Sequence, residues 1–142
     1  MATILAHIVI QPGKEAEFEA LAATLHRASH DTEEHLRAYG YWRGQEARHY
    51  YTLLAFDDYV GFLEHQSSDH HEGAALTLRD CIESISLEWV DPVEGASKLV
   101  ASNPMEAPAD ASPVMARYAR IMPAQVAEWW GPLRAERRPP AG

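Results

Sequence analysis

Phe56-Asp57-Asp58-Tyr59-Val60-Gly61-Phe62-Leu63-Glu64-His65-Gln66-Ser67-Ser68-Asp69-His70 is the stretch on which the reading of this chain turns. An aromatic strand end runs into Asp57-Asp58, and a short acidic side chain there can cap the free N–H groups of a helix. Tyr59, Val60, Phe62 and Leu63 then recur at helical spacing. Ser67-Ser68-Asp69 interrupts or recaps that helix. A further helix through Ala74, Ala75 and Leu78 is predicted to run to about Asp80.

Outward from this stretch the periods alternate. Residues 3–10, Thr-Ile-Leu-Ala-His-Ile-Val-Ile, are β-branched and free of breakers, and predict a buried strand closed by Gln11-Pro12-Gly13. Over 14–30 the period becomes helical, with Phe18, Leu21, Ala22 and Leu25 on one stripe and acids near the start. His26 and His30 share a face beside that stripe and are expected to be solvated. Residues 36–43 and 48–56 predict two strands joined by a short connection, an antiparallel hairpin. Residues 82–90 alternate as a fourth strand, stopped by Asp91-Pro92. The order β-α-β-β-α-β is a ferredoxin-like split βαβ pattern, an α+β fold. Its helices cover one face of the sheet, and the other would be bare in a monomer. A symmetric homodimer packing two sheets face to face is therefore expected.

The chain has 142 residues, 46% of them hydrophobic, which predicts one domain with an appended arm. We divide it into a domain over 1–92 and a Pro/Ala-rich linker with a short helical C-terminal arm over 93–142. Residues 114–121 and a segment from Pro123 are expected to be helical, and Trp129-Trp130 is expected to dock on the domain. A formal charge of −9 and a pI near 5.3 argue against nucleic-acid or membrane partners. No apolar run is long enough to span a bilayer and no leader pattern is present, so a cytoplasmic location is expected. The lone Cys81 reads as a small buried apolar residue.

Residues 3–92 resemble an antibiotic-biosynthesis-monooxygenase domain. The carriers are the strand followed by Gln11-Pro12-Gly13-Lys14-Glu15 and Phe18, the stretch 56–70 with its His-x-x-Ser-x-His pattern, and Leu87-Glu88-Trp89-Val90. His35 stands where many members carry glycine, and a minimal member lacks the tail. The resemblance implies a ferredoxin-like subunit, a dimeric α/β barrel and a pocket between sheet and helices. It suggests cofactor-independent oxidation of phenols, quinols or polyketide-like aromatics by dioxygen. The same fold also hosts haem-degrading enzymes, cyclases and decarboxylases, so fold alone does not choose among them.

Eight histidines in so short a chain invite an acid–base or metal hypothesis. His65 and His70, five apart across the break at Ser67-Ser68, are the expected catalytic pair. A neutral imidazole can take the proton of a bound phenol, and a second can stabilise the oxyanion. The competing reading has both merely bonding helix ends. His7, Trp42, His49, Tyr51 and Phe62 are the expected substrate-binding residues. His7, His49, His65 and His70 could in principle converge on a metal, but their spacing carries no metal-ligand pattern; neither a metal nor another cofactor is expected. Two further classes stay open: a cofactor-free cyclase, isomerase or lyase using the same histidines, and a non-enzymatic haem or small-molecule binding module.

Overall fold

A computed structural model describes residues 1–101 and 106–121. Its elements are β1 (Ala2–Ile10), α1 (Glu15–Thr32), β2 (Leu36–Arg43), β3 (His49–Phe56), α2 (Tyr59–Ser67), α3 (Asp69–Cys81) and β4 (Ile82–Trp89). The strands form one antiparallel sheet in the order β2-β3-β1-β4. The ferredoxin-like α+β reading holds. Among the described residues no helix is long and apolar enough to cross a membrane.

Strand alternation decides which side chains meet the helices. Ala2, Ile4, Ala6, Ile8 and Ile10 of β1 are buried, and they cluster with Phe18 and Leu25 of α1 and with Phe62 and Leu63 of α2. Each buried isoleucine is worth about 1.5–3 kcal/mol. A one-residue slip would exchange them for Leu5, His7 and Val9, so burial fixes the register. Arg48 has φ 68, a left-handed conformation that an extended strand does not accommodate. Hence β3 starts at His49, one residue later than its composition suggests.

Two helix boundaries position the site. The buried stripe of α1 runs Phe18, Ala22, Leu25, Ser29, so its last member is polar. A buried hydroxyl there needs partners. Helix α1 continues to Thr32, two residues beyond the predicted 14–30, which makes Glu33 its C-cap. The break after α2 is a single residue. Ser68 is extended, its Oγ donates to the His65 carbonyl at 2.7 Å, and the same oxygen accepts from the His71 N–H at 3.3 Å. One serine thus closes α2 and opens α3.

Past β4, residues 90–101 and 106–112 carry no helix or strand, and residues 113–121 are helical. Met115, Tyr118 and Ile121 pack against the core, and Arg117 pairs with Glu72 of α3 at 2.8 Å. The expected helical segment from Pro123 and the docking of Trp129-Trp130 lie outside the described residues.

Candidate active site

Ser29 and Glu33 from the end of α1, His65 from α2 and His70 from α3 meet at one point. His65 Nδ1 lies 2.9 and 3.1 Å from the two Glu33 oxygens, and His70 Nε2 lies 2.7 Å from Oε2. Ser29 Oγ is 3.4 Å from His65 Nδ1 and 3.1 Å from His70 Nε2. The His65 side chain is 2% exposed, Glu33 10% and His70 20%, so the cluster is shielded from water yet reachable from the His70 side. A carboxylate carries no hydrogen, so both rings must donate to it. Burial by itself would raise the Glu33 carboxyl. The hydrogen bond and charge of His65, with hydrogen bonds from Ser29 and His70, outweigh burial and bring it down to about 2. Glu33 is therefore ionised at neutral pH.

The cluster forms a wall between two spaces. On the inside, His65 lines a cavity of about 110 Å³ between helices and sheet, with Phe62, Tyr39, Tyr41 and His71. Tyr39 meets the His65 ring edge-on at 5.3 Å, and its hydroxyl pairs with that of Tyr41 at 2.6 Å. Burial pushes both phenols well up, so they stay protonated. On the outside, Glu33 and His70 reach a cleft of about 630 Å³ shared with Glu34, Glu64 and Asp69. A third, larger cleft of about 680 Å³ lies between α1 and β2. It holds none of the clustered groups but shares Phe18, Tyr39 and Tyr41 with the inner cavity.

The expected site residues divide into two sets. His65, His70 and Phe62 lie on the helix side of the sheet. His7, Trp42, His49 and Tyr51 lie together on the opposite face, so one enclosed cavity holding all seven is not formed. The strand period of two is the reason: His7 alternates with the buried Ala6 and Ile8, and Tyr51 with Tyr50 and Thr52. On that face His7 Nε2 meets His49 Nδ1 at 3.0 Å, Tyr51 stacks on His7 at 4.7 Å, and Trp42 pairs with Tyr51 across the strands. His7 and His49 therefore do not converge with His65 and His70. His26 and His30 are exposed, as expected.

Ser29, Glu33 and His71 escaped the sequence reading. Glu33 sits in the polar run Asp31-Thr32-Glu33-Glu34, which reads as a solvated helix end. His71 follows His70 but turns the other way, as adjacent helical residues do. It lines the inner cavity, burial lowers it to about 4, and its Nδ1 is fully shielded with no hydrogen-bond partner among the described residues. His71 is thus a neutral ring with an unused polar atom beside the cavity.

Comparison with known proteins follows the fold. Residues 1–75 match the profile of the family described as antibiotic biosynthesis monooxygenase. No curated protein matches the chain. Among solved structures, a candidate antibiotic biosynthesis monooxygenase from Bacteroides thetaiotaomicron is 18% identical, with TM-score 0.64, over 69% of this chain and 94% of its own. A candidate of the same description from Caulobacter crescentus is 23% identical, with TM-score 0.62, over 66% and 90%. A Mycobacterium tuberculosis protein is 14% identical, with TM-score 0.61, over 68% and 98%. At these identities the likeness concerns the fold.

Proposed function

The chain belongs to the antibiotic biosynthesis monooxygenase family, and from that premise we propose that it oxidises a small phenol or quinol with dioxygen, using His65 as general base. The observation that carries this reading is the 2.9 Å contact between His65 Nδ1 and the ionised Glu33. Donation from Nδ1 fixes the tautomer and leaves Nε2 as the basic nitrogen of a ring that lines the inner cavity. The carboxylate also stabilises the imidazolium once the proton arrives. A positioned base of this kind is worth roughly 10²–10⁴ in rate.

The chemistry balances without an added reductant. His65 takes the hydroxyl proton, and the phenolate passes one electron to dioxygen. The phenoxyl radical and superoxide combine at a ring carbon bearing hydrogen, and a proton completes the hydroperoxide. Loss of that C–H proton with cleavage of O–O gives a quinone and one water. Both oxygen atoms are then accounted for, one in the product and one in water. His71, held neutral, accepts a hydrogen bond from a substrate hydroxyl. Tyr39 and Tyr41 use one O–H between them, which leaves the other to donate to a substrate oxygen.

Size favours a single ring. Pockets for drug-sized ligands run to about 300–1,000 Å³, well above the 110 Å³ of the inner cavity. A larger aromatic would extend past Phe18, Tyr39 and Tyr41 into the α1–β2 cleft. The homodimer belongs to the same proposal. Leu5, Trp42 and Tyr51 are 41%, 57% and 43% exposed on the outer sheet face. Packing two such faces together buries them, and assigns His7, Trp42, His49 and Tyr51 to the subunit interface.

The test is incubation of metal-stripped protein with a panel of hydroquinones and polyhydroxylated aromatics under ¹⁸O₂. The expected product gains one labelled oxygen and loses two hydrogens, with one dioxygen taken up per product. A mass-neutral or fragmented product without oxygen uptake would replace the reading with cyclase, isomerase or lyase chemistry at the same base.

A further inference from the structure

Three donor atoms on three different helical boundaries point at one spot: a carboxylate oxygen of Glu33, Nδ1 of His65 and Nε2 of His70, all within 4.8 Å of one another. The carboxylate-to-nitrogen separations of 2.7–3.1 Å are close to those of neighbouring ligands around a small cation, and a few tenths of an ångström of movement would admit one. At metal–ligand distances of about 2.0–2.1 Å, adjacent donors stand roughly 2.9–3.4 Å apart. Ser29 Oγ sits against both nitrogens. Among the described residues the cleft leading to His70 is walled by Glu34, Glu64, Asp69 and His35 and includes no lysine or arginine, which favours approach of a cation. Two imidazoles and one carboxylate suit borderline first-row ions over calcium or magnesium, which prefer oxygen alone.

We propose that Glu33, His65 and His70 bind one first-row divalent transition-metal ion, of the zinc or iron(II) class, and that this ion and the base function of His65 exclude each other. The exclusion follows from the ring. With the site empty, His65 donates from Nδ1 and keeps a lone pair on Nε2. An ion on Nδ1 needs a lone pair on Nδ1 itself, so the neutral ring then carries its hydrogen on Nε2 and can no longer accept a proton from substrate. Metal would thus hold the acid–base site shut. Only this last consequence rests on the acid–base reading; the binding site does not.

The full metal-free chain is titrated with Co²⁺, followed by its visible absorption, with Zn²⁺ as competitor. One equivalent per chain is expected. Affinity should fall by roughly 100-fold or more in His70→Ala and in Glu33→Gln, since each removes a ligand. It should be kept in His26→Ala/His30→Ala, whose exposed rings 4.2 Å apart are the alternative surface chelate. A second readout needs no variant: long-range ¹⁵N–¹H correlations at about pH 8 should show His65 protonated on Nδ1 without metal and on Nε2 with Zn²⁺. Absence of stoichiometric binding, binding that survives loss of Glu33 and His70, or binding lost in the His26/His30 control would overturn the site. An unchanged His65 tautomer would overturn the exclusion. Neither readout uses turnover, so failure of the oxidation reading leaves both results interpretable.

Discussion

Glu33→Gln is the most informative perturbation because it keeps the shape of the side chain and removes only its charge. In the native protein the carboxylate accepts from His65 and His70 at 2.9 and 2.7 Å. A glutamine offers one acceptor, and its NH₂ group must face a ring nitrogen. A carboxyl lowered from 4.5 to about 2 carries roughly 3 kcal/mol of stability, at about 1.4 kcal/mol for each factor of ten in proton concentration. Charge-assisted hydrogen bonds at about 1.5–3 kcal/mol each lead to the same range. Because the folded value lies below the unfolded one, this stability is fully present above about pH 4.5 and is lost as pH falls toward 2. The variant should therefore be about 3 kcal/mol less stable at pH 7. The gap should narrow by about 0.8 kcal/mol at pH 4 and about 2 kcal/mol at pH 3. Urea unfolding followed by circular dichroism at the three pH values measures it, and His71 contributes equally to both proteins. A gap under about 1 kcal/mol at pH 7, or one that stays constant to pH 3, would refute the assignment of Glu33 as the buried anion that holds both histidines.

Other consequences are simpler. His71, lowered to about 4 from 6.5 by burial, stabilises the fold as a neutral ring above pH 6.5; stability should fall by about 2 kcal/mol between pH 7 and pH 5, and His71→Phe should flatten that slope in thermal melts. Leu5→Asp places a charge on the exposed outer face and should shift sedimentation from dimer to monomer with circular dichroism unchanged; a monomeric native chain would remove the proposed interface. At Gly61 an added Cβ would stand 2.7 Å from the His35 Cβ and 3.3 Å from the Phe56 Cβ. Gly61→Ala should cost about 1–3 kcal/mol in urea unfolding, and a neutral result would contradict the tight α2 entry.

The fold was legible because its signals are periods. The β-branched, breaker-free run of β1, the change of period at Glu15 and the serine break at Ser67-Ser68 can each be read without tertiary information. The His65–His70 pair was legible for the same reason, since a helix break is what lets residues five apart face one point. Glu33 was hidden because its role depends on α1 running two residues past the end its apolar period predicts, a boundary set by packing. Nothing in Asp31-Thr32-Glu33-Glu34 says which acid turns inward. His71 was hidden by its neighbour, as two adjacent histidines do not announce that one faces a cleft and the other a cavity. His7, His49, Trp42 and Tyr51 were legible as aromatic strand residues, but which sheet face the helices cover decides whether they line a pocket or an interface.

In the proposed function Glu33 orients His65 as the base of an oxygen-dependent reaction. Turnover of the best quinol from the panel, measured as oxygen uptake by native and folded Glu33→Gln protein under identical metal-free conditions, tests it most directly. Loss of the orienting carboxylate should lower kcat by roughly 10²–10⁴. Equal rates in the two proteins would contradict it.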